Sequence, residues 1–258
     1  MFFSRCDLPD STCAGRRCLL SLRAGAVMIE AREITVQYGK RLILDRCALS
    51  VEPGECVGLL GPSGCGKSTL LRVIVGEQHP SSGSVSIGGW KPSPSRETTP
   101  PPGLFGIVHQ DPVGSLDRLW SVAQCVREPL AALGTDRDTQ CSMMKSMLAY
   151  VRLGHIHPET PVRSLSIGQA QRVAMARALI GNPNVVLADE PTSALDPTTA
   201  ATIVVLLREA AMNGASVVVV SHNDALLASF CDRILEMRNG QLYPWTSREE
   251  NGVKPILS

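Results

Sequence analysis

An α/β fold, with an antiparallel β-layer and an inserted α-helical subdomain, is what this chain of 258 residues predicts. Three observations predict it. Short apolar runs, VVLA at 185–188 and SVVVV at 216–220, have the length and β-branched content of strands buried on both faces. Residues 29–60 read as strand after strand with no helix between them, which suggests an antiparallel layer. Residues 121 to about 153 then switch to helical spacing before the strands resume.

Taken in order, strands are expected over 29–38, 42–51 and 55–60, turned at Gly39–Lys40 and Pro53–Gly54. A helix follows over 68–75, and SSGSVSIGGW reads as a further short strand pair. The segment KPSPSRETTPPPG is a surface link by composition. LFGIVHQ is a buried strand ending at Gln110. SVAQCVREPLAAL and TQCSMMKSMLAYVRL are two helical stretches broken near Gly134 and Thr135. After the 185–188 strand come a helix over 198–212, the 216–220 strand and a short helix over 225–230. A closing hairpin, 233–237 with 241–243, is turned by Asn239–Gly240. The first 27 residues show no period and lack the apolar core of a secretory signal. They are expected to be a disordered leader.

Composition removes several classes of function. A net charge of +1 argues against nucleic acid as the main partner, since binding a phosphate backbone usually leaves a basic excess. No window approaches the roughly 20 apolar residues of a membrane span. The nine cysteines are scattered, with no C-x-x-C pair, so a disulfide scaffold or zinc site is not expected. His155 and His157 lack a nearby third ligand, so a metal pair there is not expected.

The chemistry begins at GLLGPSGCGKSTLL, residues 58–71. The pattern G-x-x-x-x-G-K-S lies between a strand and a helix, the setting that makes it a P-loop nucleotide-binding core rather than a turn. Gly61, Gly64 and Gly66 let backbone N–H groups turn inward on an anion, with Pro62, Ser63 and Cys65 between them. The helix that starts here adds its positive end. Lys67 can reach the β- and γ-phosphates of a nucleotide, Ser68 suits a magnesium ion, and Thr69 closes the loop.

NVVLADEPTSALD, residues 184–196, is an apolar strand ending in two carboxylates. In isolation the pair is an exposed strand end. With a phosphate loop upstream, Asp189 is placed to hold Mg²⁺ and Glu190 to polarise an attacking water as general base. SLSIGQAQRVAMARALI, residues 164–180, opens a long helix with a serine and a glycine, which makes a second anion-seeking helix start. Two such starts in one chain are natural if the second completes the first site of another copy.

At this point the chain resembles the ATP-binding subunit of an ABC transporter, from Met28 to about Leu242. The resemblance implies ATP and Mg²⁺ as cofactors and assigns roles residue by residue. Tyr38 stands where the family stacks an aromatic ring on adenine. Gln110 matches the glutamine that contacts Mg²⁺ or the attacking water and senses the transmembrane partner. Ser166, Gly168 and Gln169 match the signature turn, with Ile167 in place of its usual first glycine. Residues 193–196 match the loop that crosses between subunits, and His222 the switch histidine beside the γ-phosphate. The ATPase domain would span 28–245, with its helical subdomain at about 111–165 and a tail at 246–258.

The implied partners are transmembrane permease subunits, a second ATPase copy or paralogue, and a substrate-binding protein, with no nucleic acid. The implied location is peripheral, on the cytoplasmic face of the cell membrane. QDPVGSLDRLWSVAQCVREPL is similar to the peptide/nickel importer group, which suggests import of peptides, nickel or a metal chelate. Two rivals stand beside that reading: a soluble, non-transport ABC ATPase, and an accessory protein of phosphonate metabolism.

Overall fold

The computed structural model describes residues 28–93, 99–193 and 195–246. The expected leader over 1–27, the middle of the Pro/Ser/Thr-rich link and most of the expected tail lie outside them.

Two sheets share the work. Strands β1 (Ile29–Tyr38), β2 (Arg41–Val51) and β4 (Ser82–Ile87) form an antiparallel layer in the order β2-β1-β4. Strands β3 (Cys56–Leu60), β5 (Phe105–Val108), β6 (Val185–Asp189), β7 (Ser216–Ser221), β8 (Arg233–Arg238) and β9 (Gln241–Pro244) form the second sheet, in the order β5-β6-β7-β3-β8-β9. All of its pairings are parallel except the closing β8–β9 hairpin.

The third strand of the 29–60 segment therefore leaves the antiparallel layer. The reason lies in its sequence: Val57 and Leu59 face one core while Cys56 faces the other, so β3 needs cover on both faces and finds it between β7 and β8. The place beside β1 is taken by β4, which is a single strand and not the expected pair. After it, Gly88 and Gly89 turn at positive φ, and Trp90 returns only far enough to bridge Ile87.

The period of two sorts the parallel strands between the two cores. Val186, Ala188, Val217 and Val219 face a helical side, and Val185, Leu187, Val218 and Val220 face the antiparallel layer. On that second side lies α1 (Lys67–Val75), contributing Leu70, Leu71, Val73 and Ile74. The helical side holds α2 (Pro112–Ser115), α3 (Val122–Ala132), α4 (Arg137–Tyr150), α5 (Ile167–Leu179) and α6 (Pro197–Met212). A short α7 (Asp224–Ala228) adds Leu227. Val122, Val126 and Leu130 of α3 and Leu148 of α4 join the same core as the sheet.

Local chemistry starts these helices where it should. Ser121 and Gln124 form a reciprocal capping box on α3, and Asp136 accepts the Thr139 N–H to cap α4. Between the two helices Gly134 takes a positive φ, as the break in the sequence pattern predicts.

At the opposite end of the sheet from the site, Asp232 ties three elements together. Its Oδ2 accepts the Cys56 N–H at 2.9 Å, and Arg208 of α6 donates to both carboxylate oxygens at 2.9 and 2.8 Å. The hydrogen bond from Arg208 holds the Asp232 carboxyl below the usual carboxylate range. A depressed folded-state pKa contributes stability that is present above the unfolded value, about 3.9, and lost as pH falls through the folded one. With both side chains 40% exposed, solvent screening trims the effect. Asp232→Asn is expected to cost about 1 kcal/mol at pH 7. Urea unfolding across pH should show the gap to the parent chain closing below about pH 4; a gap that is constant with pH would mean that charge is not its cause.

Candidate functional site

The site lies where parallel strands β3, β6 and β7 end. Leu60 pairs with Ser221 and Asp189 with Val220, so the residues that follow these strands emerge side by side. In an open α/β sheet this carboxyl edge is where ligands bind.

From β3 the chain enters the loop that precedes α1. Gly66 has φ 116°, a value L side chains rarely adopt, and a Cβ there would meet Leu44 Cδ2 at 2.9 Å and the Ile43 carbonyl at 3.1 Å. Only glycine lets the loop close against β2 at this point. Helix α1 has no side-chain cap, so its first N–H groups are left to an anion. Lys67 is buried at 7% exposure, and its Nζ donates to the carbonyls of Gly61 at 2.7 Å and Pro62 at 2.9 Å. Its remaining approach is to the Cys65 Sγ at 3.9 Å, a weak acceptor. The ammonium is thus fixed inside the loop with one donor in reserve.

From β6, Asp189 reaches a hydroxyl in the first turn of α1: Ser68 Oγ donates to Asp189 Oδ2 at 2.6 Å, across 121 residues of sequence. A hydroxyl and a carboxylate are the hard oxygen donors that Mg²⁺ takes together with substrate phosphates. Among the described residues no group of three or more His, Cys, Asp or Glu side chains forms a metal cage made of protein alone. The donor set fits an ion shared with phosphates.

Glu190 and His222 complete the edge. Glu190 sits at φ 48°, in the left-handed region, at a cost on the order of 1 kcal/mol for a non-glycine residue. Its N–H bonds to the Val220 carbonyl at 2.9 Å, and its own carbonyl accepts from Ser193 N at 3.2 Å and Ser193 Oγ at 3.1 Å. Held this way, both carboxylate oxygens lie 3.0 Å from His222 Nδ1. The histidine is 66% exposed and the glutamate 12%, so a buried carboxylate is paired with an imidazole that is largely open to solvent. The sequence placed each of the two beside the phosphates, but it did not pair them.

Other expected site residues come from neighbouring elements. Gln110 is exposed in the loop beyond β5, which ends two residues earlier, at Val108. Tyr38 is half-exposed at the tip of the β1–β2 hairpin, and its hydroxyl donates to Gln78 Oε1 at 2.6 Å, just past the C-terminal end of α1. Ser166 caps α5 through a reciprocal box with Gln169, and Gly168 packs toward Thr199 in the first turn of α6. Among the described residues no hydrogen bond joins Ser166, Gly168 or Gln169 to the phosphate loop. Asp196 caps α6, accepting from the N–H groups of Thr198 and Thr199 and from the Thr199 hydroxyl.

This geometry agrees with what the chain is similar to. A model of the ABC transporter family matches residues 44–193, more than half of the sequence. The phosphonates import ATP-binding protein PhnC of Hyphomonas neptunium is 39% identical over 235 residues, covering 86% of this chain and 88% of the relative. The chain belongs to the ABC transporter family.

It is the ATP-binding subunit type of that family, an ATPase that uses ATP with Mg²⁺. The methionine import ATP-binding protein MetN of Corynebacterium glutamicum is 36% identical over 227 residues. That match takes in 85% of this ABC subunit and only 62% of the relative's length. The ATP-binding cassette MJ0796, solved as a dimer in a post-hydrolysis state with ADP and Pi, superposes with a TM-score of 0.75 at 32% identity. The overlap covers 83% of this chain and 96% of the cassette. The peptide/nickel likeness expected from the segment after Gln110 finds no support in these relatives, whose names point to phosphonates and methionine. No helix among the described residues is long and apolar enough to cross a membrane.

Proposed function

We propose that this subunit binds and hydrolyses ATP in a pair of facing ATPases and thereby drives import of a small charged solute through permease partners. The observation that carries the paired reading is the separation of two anion-seeking helix starts in one chain. The uncapped start of α1 serves the chain's own phosphate loop, while the Ser166 turn lies apart from it. A dimer that sets the turn of one copy against the loop of the other uses both, and a dimeric relative supports the arrangement.

In this reading Lys67 and the loop N–H groups of residues 61–69 neutralise the phosphates, and Tyr38 stacks on the adenine. Ser68, Asp189 and Gln110 would hold Mg²⁺, which supplies charge neutralisation at the phosphate oxygens. Glu190 takes a proton from the attacking water, and His222, held on the Glu190 carboxylate, keeps that base oriented. Ser166, Gly168 and Gln169 of the facing copy meet the terminal phosphate. ATP and water become ADP and phosphate.

Likeness to PhnC across nearly its whole length supports import and an anionic phosphonate as the cargo class. The partners are then two permease subunits and a substrate-binding protein, with the ATPase on the cytoplasmic face. The test is reconstitution of the subunit with the permease encoded beside it in liposomes, with ATP on the subunit's side. ATP-dependent uptake of a radiolabelled alkylphosphonate, well above that of methionine or a dipeptide, is the expected result. Active hydrolysis with uptake of none of them would overturn the importer reading.

A further inference from the structure

Arg172 stands at the junction of three helix ends. Its Nη1 donates to the Arg152 carbonyl at 3.0 Å, and its Nε to the Gly168 carbonyl at 3.2 Å. Arg152 lies just past the Val151 cap of α4 with φ 58°, so its carbonyl sits beside the C-terminal end of that helix, where a cation is favoured. Gly168 is in the first turn of α5. A Cβ on Gly168 would lie 3.7 Å from Thr199 Cγ2, so the same turn rests on the start of α6. The guanidinium is half-buried; that burial lowers its pKa, as does Arg152, while Asp196 works in the opposite direction.

We propose that Arg172 is a positioning residue, whose guanidinium fork fixes the first turn of α5 at a set angle to the end of α4, so that Ser166 and Gly168 meet phosphates held by a second copy. The inference rests on the two-copy reading of the site. It assigns a role to a residue that touches neither nucleotide nor ion. Arg172 belongs to α5, so its Nε grips the Gly168 carbonyl one turn back in the same helix while its Nη1 crosses to Arg152; holding both at once calls for a planar fork, and an ammonium on a flexible stem lacks that geometry. A reacting group displaced by about 1 Å can lose about 100-fold in rate, so a modest swing of the α5 start is enough to matter. ATP affinity of a single copy should not change, because the phosphate loop lies elsewhere.

The experiment compares Arg172→Ala and Arg172→Lys in the full chain by calorimetric ATP binding, steady-state turnover and mixing. Both variants should bind ATP as the parent does while turnover falls about 10–100-fold, the lysine recovering only part of it. Mixed with Lys67→Ala, either should regain activity, because each mixed pair then holds one intact loop facing one intact turn. Mixed with Ser166→Arg, neither should, because both lesions lie in the same half of the site. Parental turnover in Arg172→Lys and Arg172→Ala, lost ATP affinity in a folded Arg172→Lys, or recovery with Ser166→Arg overturns the proposal. Failure of the Lys67→Ala and Ser166→Arg mixture, with and without the neighbouring ATPase added, defeats the paired reading alone. In that case turnover measured against affinity in Arg172→Lys decides the role of Arg172.

Discussion

Lys67→Ala abolishes ATP hydrolysis, and the activity returns when the dead chain is mixed with an equally dead Ser166→Arg chain. The first half follows from the buried ammonium. Its Nζ is pinned by the Gly61 and Pro62 carbonyls, and alanine removes that fixed charge from the loop. A unit charge at about 4 Å is worth about 4 kcal/mol at an effective dielectric near 20, which corresponds to about a thousandfold in rate. The second half follows from where Ser166 lies. A long cation there blocks approach to a facing copy but leaves the chain's own loop intact, so Ser166→Arg should bind ATP and fail to turn it over. In a homodimer the mixture would hold one good site per mixed pair, about a quarter of parental turnover if sites act independently. A heterodimer with a paralogue would restore nothing until that paralogue is added. Parental turnover in Ser166→Arg alone sinks the composite site.

Glu190→Gln is expected to keep ATP binding and slow hydrolysis by about 100- to 10,000-fold, the usual worth of a general base. The amide preserves shape and can still face His222 Nδ1, 3.0 Å from both oxygens in the parent, but it cannot take a proton. With hydrolysis slowed, the ATP-bound pair persists, and gel filtration with ATP should show a dimer of Glu190→Gln where the parent runs as a monomer. Single-turnover measurements separate this from lost binding. Parental rates in the variant would move the base elsewhere and leave the strained φ of 48° at Glu190 without its catalytic reason.

Part of this site is written in neighbouring residues. Gly61, Gly64, Gly66, Lys67 and Ser68 stand in a fixed short spacing, and the backbone demands of an anion cradle act on those same few residues. The capping roles of Ser121, Ser166 and Asp136 are equally local, each depending on an N–H three residues ahead. Sequence alone mistook the place of residues 56–60, because length and apolar content mark a strand but do not name its neighbours. It drew the 104–110 strand too long for a related reason: β5 stops at Val108, where its pairing with β6 stops, and sequence does not show where a partner ends.

What the sequence by itself determined is a nucleotide-binding α/β chain: its strands, its helix starts, the phosphate loop and the carboxylates that follow β6. These depend on spacing, period and caps, which act within a turn or a strand. Only the tertiary structure decided that Ser68 meets Asp189 and that Glu190 is paired with His222. It also tethered Tyr38 to Gln78 and braced the α5 turn on α4 through Arg172. Each of these contacts joins different elements; the first two arise where parallel strands end side by side, and the others where a hairpin meets the end of α1 and where α5 packs on α4. The order of the parallel strands is set by which buried faces cover one another, a long-range balance of burial that local periodicity does not encode.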